Sequence, residues 1–127
     1  MLRAIARPML AAIFVQGGLD SLRNPEPKVA RAEPIAPKLA APLGLPEDTL
    51  TLVRINGAAQ VVGGTLLALG RFPRLAALVL AASLVPTTAA GHRFWEEDEP
   101  RTRAQQTIQF LKNLGLLGGL LLVIDGG

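Results

Sequence analysis

The stretch "GAAQVVGGTLLALG", residues 57–70, decides how the whole chain is read. It is apolar and crowded with small residues, yet it holds one amide, Gln60, near its middle. A soluble core helix, a helix packed against others in lipid and the wall of a polar site could each be written this way. A soluble helix interrupts its apolar stripe with charge at nearly every turn to keep one face wet. This stretch does not, and neither do the other apolar stretches of the chain.

Composition points the same way. Half of the 127 residues are apolar and only 18% are charged, where a soluble domain carries about a quarter. Mean hydropathy is +0.36. A formal charge of +3 is compatible with nucleic-acid binding in principle, but the bases are scattered between apolar blocks and form no stripe with interleaved aromatics, so no nucleic-acid partner is expected. Cysteine is absent, which rules out a disulfide framework, a thiol redox centre and covalent haem attachment. The single histidine, His92, argues against a dedicated transition-metal site. Any electron transfer would need a bound molecule or a partner.

Four apolar blocks stand out, at 5–22, 50–69, 75–91 and 107–124. Each is about as long as a helix needs to cross a hydrocarbon core about 30 Å thick. The expected fold is therefore all-α: one integral membrane domain over 1–127, an antiparallel four-helix bundle with a long loop between its first and second helices. That loop, 23–49, is rich in proline, so it cannot be one long helix; a short interfacial helix is expected around 36–43. The link "GRFPR" at 70–74 is a tight turn, with Gly70 closing one helix and Pro73 opening the next. The connection at 92–106 carries four consecutive acids, Glu96 to Glu99, beside Phe94 and Trp95, which would suit an aromatic belt. Arg3 and Arg7 ahead of a short apolar run look like a secretory leader, but no small-x-small cleavage site follows, and the segment is expected to stay as the first helix.

An up-and-down arrangement places Arg3, Arg7, Arg71 and Arg74 on one membrane side and the remaining Lys and Arg residues on the other. Counted by the positive-inside rule, this puts both long loops in the cytoplasm and both termini outside. The same arrangement gathers Gln16, Asp20, Arg54, Asn56, Gln60, His92, Lys112 and Asn113 toward one face. Polar groups near the hydrocarbon edge are costly unless they pair or face a cavity. Asp20 is expected to pair with Arg54 or Lys112. The cap as a whole reads either as mutual neutralisation that sets helix depth, or as a vestibule for a small polar or amphipathic molecule such as a quinone head group. Small residues answer another need, since lipid gives helices no hydrophobic drive to associate and close backbone approach must supply the packing. Gly63 and Gly64 with their alanine neighbours, and the Gly115 and Gly119 pair, mark the expected buried faces. A faint internal echo, "VVGGTLL" against "LLGGLLL", hints at duplication of a two-helix unit.

Taken together, "FVQGGLDSL", "GAAQVVGGTLLALGRFPRLAAL", "GHRFW" and "FLKNLGLLGGLLLV", in that order and spacing, resemble the DoxX family of small four-helix membrane proteins. The resemblance implies a multi-pass protein of the bacterial inner membrane linked to redox chemistry, because relatives serve quinone-reducing thiosulfate oxidation systems or partner enzymes of oxidative and thiol stress. It implies protein partners within a membrane complex, with a homo-oligomer also compatible. Gln60 stands where the family commonly has a glutamate, and an amide cannot exchange protons as an acid or base does. The expected function is therefore a non-catalytic subunit or scaffold of a membrane oxidoreductase complex, with no intrinsic cofactor. The alternative is a quinone-linked oxidoreductase subunit of the thiosulfate:quinone type, using the polar cap as its vestibule. A transporter is disfavoured, because the polar residues are too few and too close to one face to line a continuous path.

Overall fold

The structure, a computed structural model, describes residues 2–34, 38, 41–44, 48–91 and 98–126, the side chains of 89–91 excepted. Among the described residues it is all-helical. The elements are α1 (Leu2–Arg23), α2 (Glu26–Ala32), a 3-10 turn (Ala41–Leu43), α3 (Thr49–Ala68), α4 (Pro73–Gly91) and α5 (Pro100–Ile124).

The ends of α3 show why the sequence breaks where it does. Asp48 has extended backbone, and its carboxylate accepts from the Thr51 amide at 3.4 Å and the Thr51 hydroxyl at 2.8 Å, capping amides that the first turn leaves unpaired. At the other end Gly70 has φ +72°, and its N–H donates to the Leu67 carbonyl while that of Arg71 donates to Leu66. This paired closure needs a left-handed residue that glycine supplies without steric cost. Phe72 follows with φ +48°, and Pro73 opens α4.

Three boundaries differ from the expectation. α5 begins at Pro100, two turns before the apolar block, since Glu99 and Pro100 form its start and "RTRAQQ" is a good helix former that needs no lipid. α1 begins at Leu2 and runs through Pro8. In the long connection an α-helix at Glu26–Ala32 precedes the segment 36–43 where the interfacial helix is expected, with Pro25 and Pro27 in positions that a helix start tolerates. Of the segment 36–43, residues 36, 37, 39 and 40 lie outside the described residues, Lys38 is helical, and 41–43 form the 3-10 turn.

Successive long helices pack antiparallel, and α2 lies against α3 and α4. Three of them, α1, α3 and α5, are long and apolar enough to cross a membrane. The apolar part of α4 with described side chains, Pro73–Thr88, is shorter. Outward-facing Leu2, Met9, Ile108 and Leu122 are more than half exposed, which suits a lipid surround and not water. The inward core collects Phe14, Leu67, Leu80, Leu84, Leu120 and Val123 with alanines of α1 and α4. Because α1 and α4 run one way and α3 and α5 the other, these residues fill the half of the molecule near the α3–α4 turn. The other half is left for polar residues.

The closest helix approach is between α1 and α3. A Cβ placed on Gly18 would lie 2.6 Å from the Gly57 carbonyl oxygen, and one on Gly57 would lie 2.9 Å from that of Gly18. Further along, Gly64 faces Val15 and the Ala11 backbone, while Gly63 faces Leu80 of α4. Gly119 meets Leu10 of α1, but a Cβ on Gly115 would meet nothing within 4 Å. The two glycines of the α5 pair therefore point to different surroundings. Gly18→Ala or Gly57→Ala should destabilise the protein by about 1–3 kcal/mol, because backbone must shift to make room. Gly115→Ala should be neutral or stabilising by up to about 1 kcal/mol. Thermal unfolding in a single mild detergent, followed by circular dichroism, reads both.

Candidate functional site

Proline 86 organises the polar half. Within α4 it lacks the N–H that would bond one turn back, and its ring crowds the preceding carbonyls. Hydroxyls stand on either side of this defect. The Thr87 hydroxyl donates to the Ser83 carbonyl and the Thr88 hydroxyl to the Leu84 carbonyl, each at 2.8 Å. These carbonyls lie just beyond that of Ala82, the one that Pro86 leaves without its helical N–H donor.

The same hydroxyls tie α4 to its neighbours. Asn56 of α3 donates its amide to Thr87 Oγ1 at 2.6 Å and accepts from Ser83 Oγ, also at 2.6 Å. Asn113 of α5 donates to Thr88 Oγ1 at 3.0 Å. A polar ladder thus crosses three helices, with α4 as its centre rail. Ser83 and Asn113 are buried, and Asn56 is partly so. Gln60 is buried one turn from Asn56, its Oε1 3.8 Å from where a Cβ on Gly17 would stand. It makes no hydrogen bond to another described residue.

The other expected cap residues are dispersed. Asp20 pairs with Lys28 of α2, and with neither Arg54 nor Lys112. The cause is local: the chain turns back after α1, where the Asn24 amide bonds the Asp20 carbonyl, and α2 brings Lys28 within reach. Lys112 is exposed and donates to Gln109 Oε1 at 2.7 Å on its own helix. Gln16 is exposed. Arg54 lines an open groove with Leu50 and residues of α2, on the outside of the helix assembly. His92 lies outside the described residues. Of the eight residues, Asn56, Gln60 and Asn113 are inside, and Asn56 and Asn113 meet only through α4.

Sequence reasoning did not single out Ser83, Thr87 and Thr88. The signal was present: hydroxyls at 83 and 87, one turn apart and flanking Pro86, in a helix otherwise almost wholly apolar. No metal-binding group of three or more His, Cys, Asp or Glu occurs among the described residues.

The DoxX family model matches the chain over residues 2–93. The chain belongs to the DoxX family. No curated protein and no solved structure matches it. The DoxX match takes in α1 to α4 and hence Asn56, Ser83, Thr87 and Thr88, but ends before α5. Asn113, Lys112 and the α5 glycines are outside the matched region, so α5 is joined to the DoxX-like part through the Thr88–Asn113 bond and the apolar core.

Interhelical hydrogen bonds in membranes contribute about 1 kcal/mol each on average. Asn56→Ala should cost somewhat more, about 1–2 kcal/mol, because it strips two partners from α4. In a double-mutant cycle with Ser83→Ala the losses should be less than additive, whereas Asn56→Ala combined with Asn113→Ala should add nearly fully. Unfolding midpoints of the three single and two double variants in one detergent measure both couplings.

Proposed function

We propose that this DoxX-family protein is a non-catalytic subunit of a membrane oxidoreductase or oxidative-stress complex in the bacterial inner membrane, and that α4 serves as its fourth span, completing a four-helix bundle. The observation that carries this reading is that four of the expected cap residues, Asn56, Asn113, Lys112 and Asp20, are each satisfied by a side chain beside them. Asn56 with Ser83 and Thr87, Asn113 with Thr88, Lys112 with Gln109 and Asp20 with Lys28 are self-satisfied pairs and networks. A catalytic constellation would instead aim its groups at a common reacting position. Partners would be met at the charged ends of the helices, where Asp98, Glu99, Arg101 and Arg103 are exposed, and along the outward apolar faces.

One observation favours a second reading. Gln60 is a buried residue next to Gly17 with no side-chain hydrogen bond to a described residue, and its amide suits the carbonyl of a bound quinone. In that case the protein would be a quinone-linked subunit whose vestibule is centred on Gln60 and not on Arg54 or Lys112.

Purification in mild detergent followed by mass spectrometry of co-purifying proteins and small molecules separates the two. The scaffold reading expects a stoichiometric oxidoreductase partner and no bound quinone. One quinone per chain, lost on Gln60→Leu with the fold intact, would replace it with the vestibule reading.

A further inference from the structure

The groove on the outer side of α3 has a charge pattern that no part of the scaffold role requires. It encloses about 440 Å³ between one face of α2, made by Pro25, Glu26, Val29, Ala30 and Glu33, and two residues of α3, Leu50 and Arg54. Glu26 and Glu33 are two helical turns apart, about 10 Å along α2, with Val29 and Ala30 between them. Arg54 lies across the groove, one turn from Leu50. Neither carboxylate forms an ion pair with the guanidinium, although all three line the same space. Opposite charges held apart around a partly apolar groove call for an occupant that carries both signs.

The position of the groove narrows its chemistry. Arg54 is the sixth residue of α3, a helix able to cross a membrane, so it sits about 8 Å below the start of that helix. A 20-residue helix is about 30 Å long, the thickness of the hydrocarbon alone, so the Arg54 guanidinium reaches headgroup phosphates by extending toward the start of α3, the direction in which helical side chains lean. We infer that the α2–α3 groove binds the zwitterionic headgroup of a phospholipid bearing a primary ammonium, with Arg54 on the phosphodiester, Glu26 and Glu33 receiving the ammonium, and Val29 and Leu50 against the glycerol region. A guanidinium offers a planar fork of donors to phosphate oxygens. A primary ammonium has three donors for the carboxylates, whereas a trimethylammonium has none. The glycerol of phosphatidylglycerol offers the two carboxylates only neutral hydroxyl donors, which are weaker than an ammonium and leave their charge unbalanced. The groove therefore selects phosphatidylethanolamine over both phosphatidylcholine and phosphatidylglycerol. This inference rests on the chain being a membrane protein, and it is independent of whether its partner is an oxidoreductase.

Native mass spectrometry of the full chain, exchanged into detergent with each of the three phospholipids in turn, tests it. The expected result is one phosphatidylethanolamine retained per chain, with about tenfold weaker retention of the other two, the ratio expected from loss of one charge-assisted contact. Arg54→Gln should lower retention of all phospholipids at this site, and Arg54→Lys should restore part of it. Glu26→Gln with Glu33→Gln should keep phosphate-dependent retention while abolishing the preference for the primary ammonium. All of these residues are exposed, so the substitutions leave the packed core intact, and unchanged circular dichroism checks this. Equal retention of the three lipids by the unmodified chain, or full retention by Arg54→Gln, would overturn the assignment. Displacement of the lipid by free phosphoethanolamine at equal concentration would likewise overturn it, since the occupant would then be a soluble zwitterion.

Discussion

The contact between Gly18 and Gly57 is the constraint on which the rest of the packing hangs. In lipid, apolar side chains gain nothing by leaving one hydrocarbon surround for another, so helices hold together by van der Waals contact and the few hydrogen bonds they can make. At Gly18 and Gly57 the two backbones come so close that neither position has room for a methyl group. Val15 and Ala11 against Gly64 continue the same seam. Once α1 is laid on α3 in this way, Gly63 remains free on the other side of α3 to receive Leu80, and α4 can close on it. The two adjacent glycines of α3 therefore serve two different neighbours.

Polar bonding completes what small residues begin. Close packing fixes distance but tolerates sliding, whereas the Asn56 bonds to Ser83 and Thr87 fix the register of α3 on α4, and the Asn113 bond to Thr88 fixes α5 on α4. Pro86 gives these bonds their location. It removes the donor to the Ala82 carbonyl, and beside that break the Thr87 and Thr88 hydroxyls bond carbonyls of their own helix while accepting from the Asn56 and Asn113 amides. Division of the interior into an apolar half and a polar half follows from this placement, with Leu67, Leu80 and Leu120 fully buried on one side and the ladder on the other.

Much of this was legible in the sequence because it depends on local periodicity. The all-α class and the tight turn at Gly70 come directly from apolar run lengths and from glycine and proline positions. Convergence of Asn56 and Asn113 on one level followed from antiparallel alternation alone. What failed was pairing that depends on the path of an irregular segment. Asp20 chose Lys28 because α2 folds back onto the main helices, and a proline-rich string does not reveal which of its short pieces will be helical. The α5 glycines illustrate another limit: a four-residue spacing puts two glycines near one face of a helix, but it does not say that both will find a neighbour there, and only Gly119 does. The importance of Ser83, Thr87 and Thr88 was hidden because each, taken singly, is an ordinary residue of a membrane helix.

The turn at Gly70 also governs how the chain can enter a bilayer. From Ala68 to Pro73 there are five peptide steps, which fully extended reach about 18 Å, well short of a hydrocarbon core of about 30 Å. The last residue of α3 and the first of α4 must therefore emerge on the same side, whichever side that is. With α4 as the fourth span proposed above, the two helices are thereby tied into one hairpin, with Arg71 and Arg74 as its charged tip.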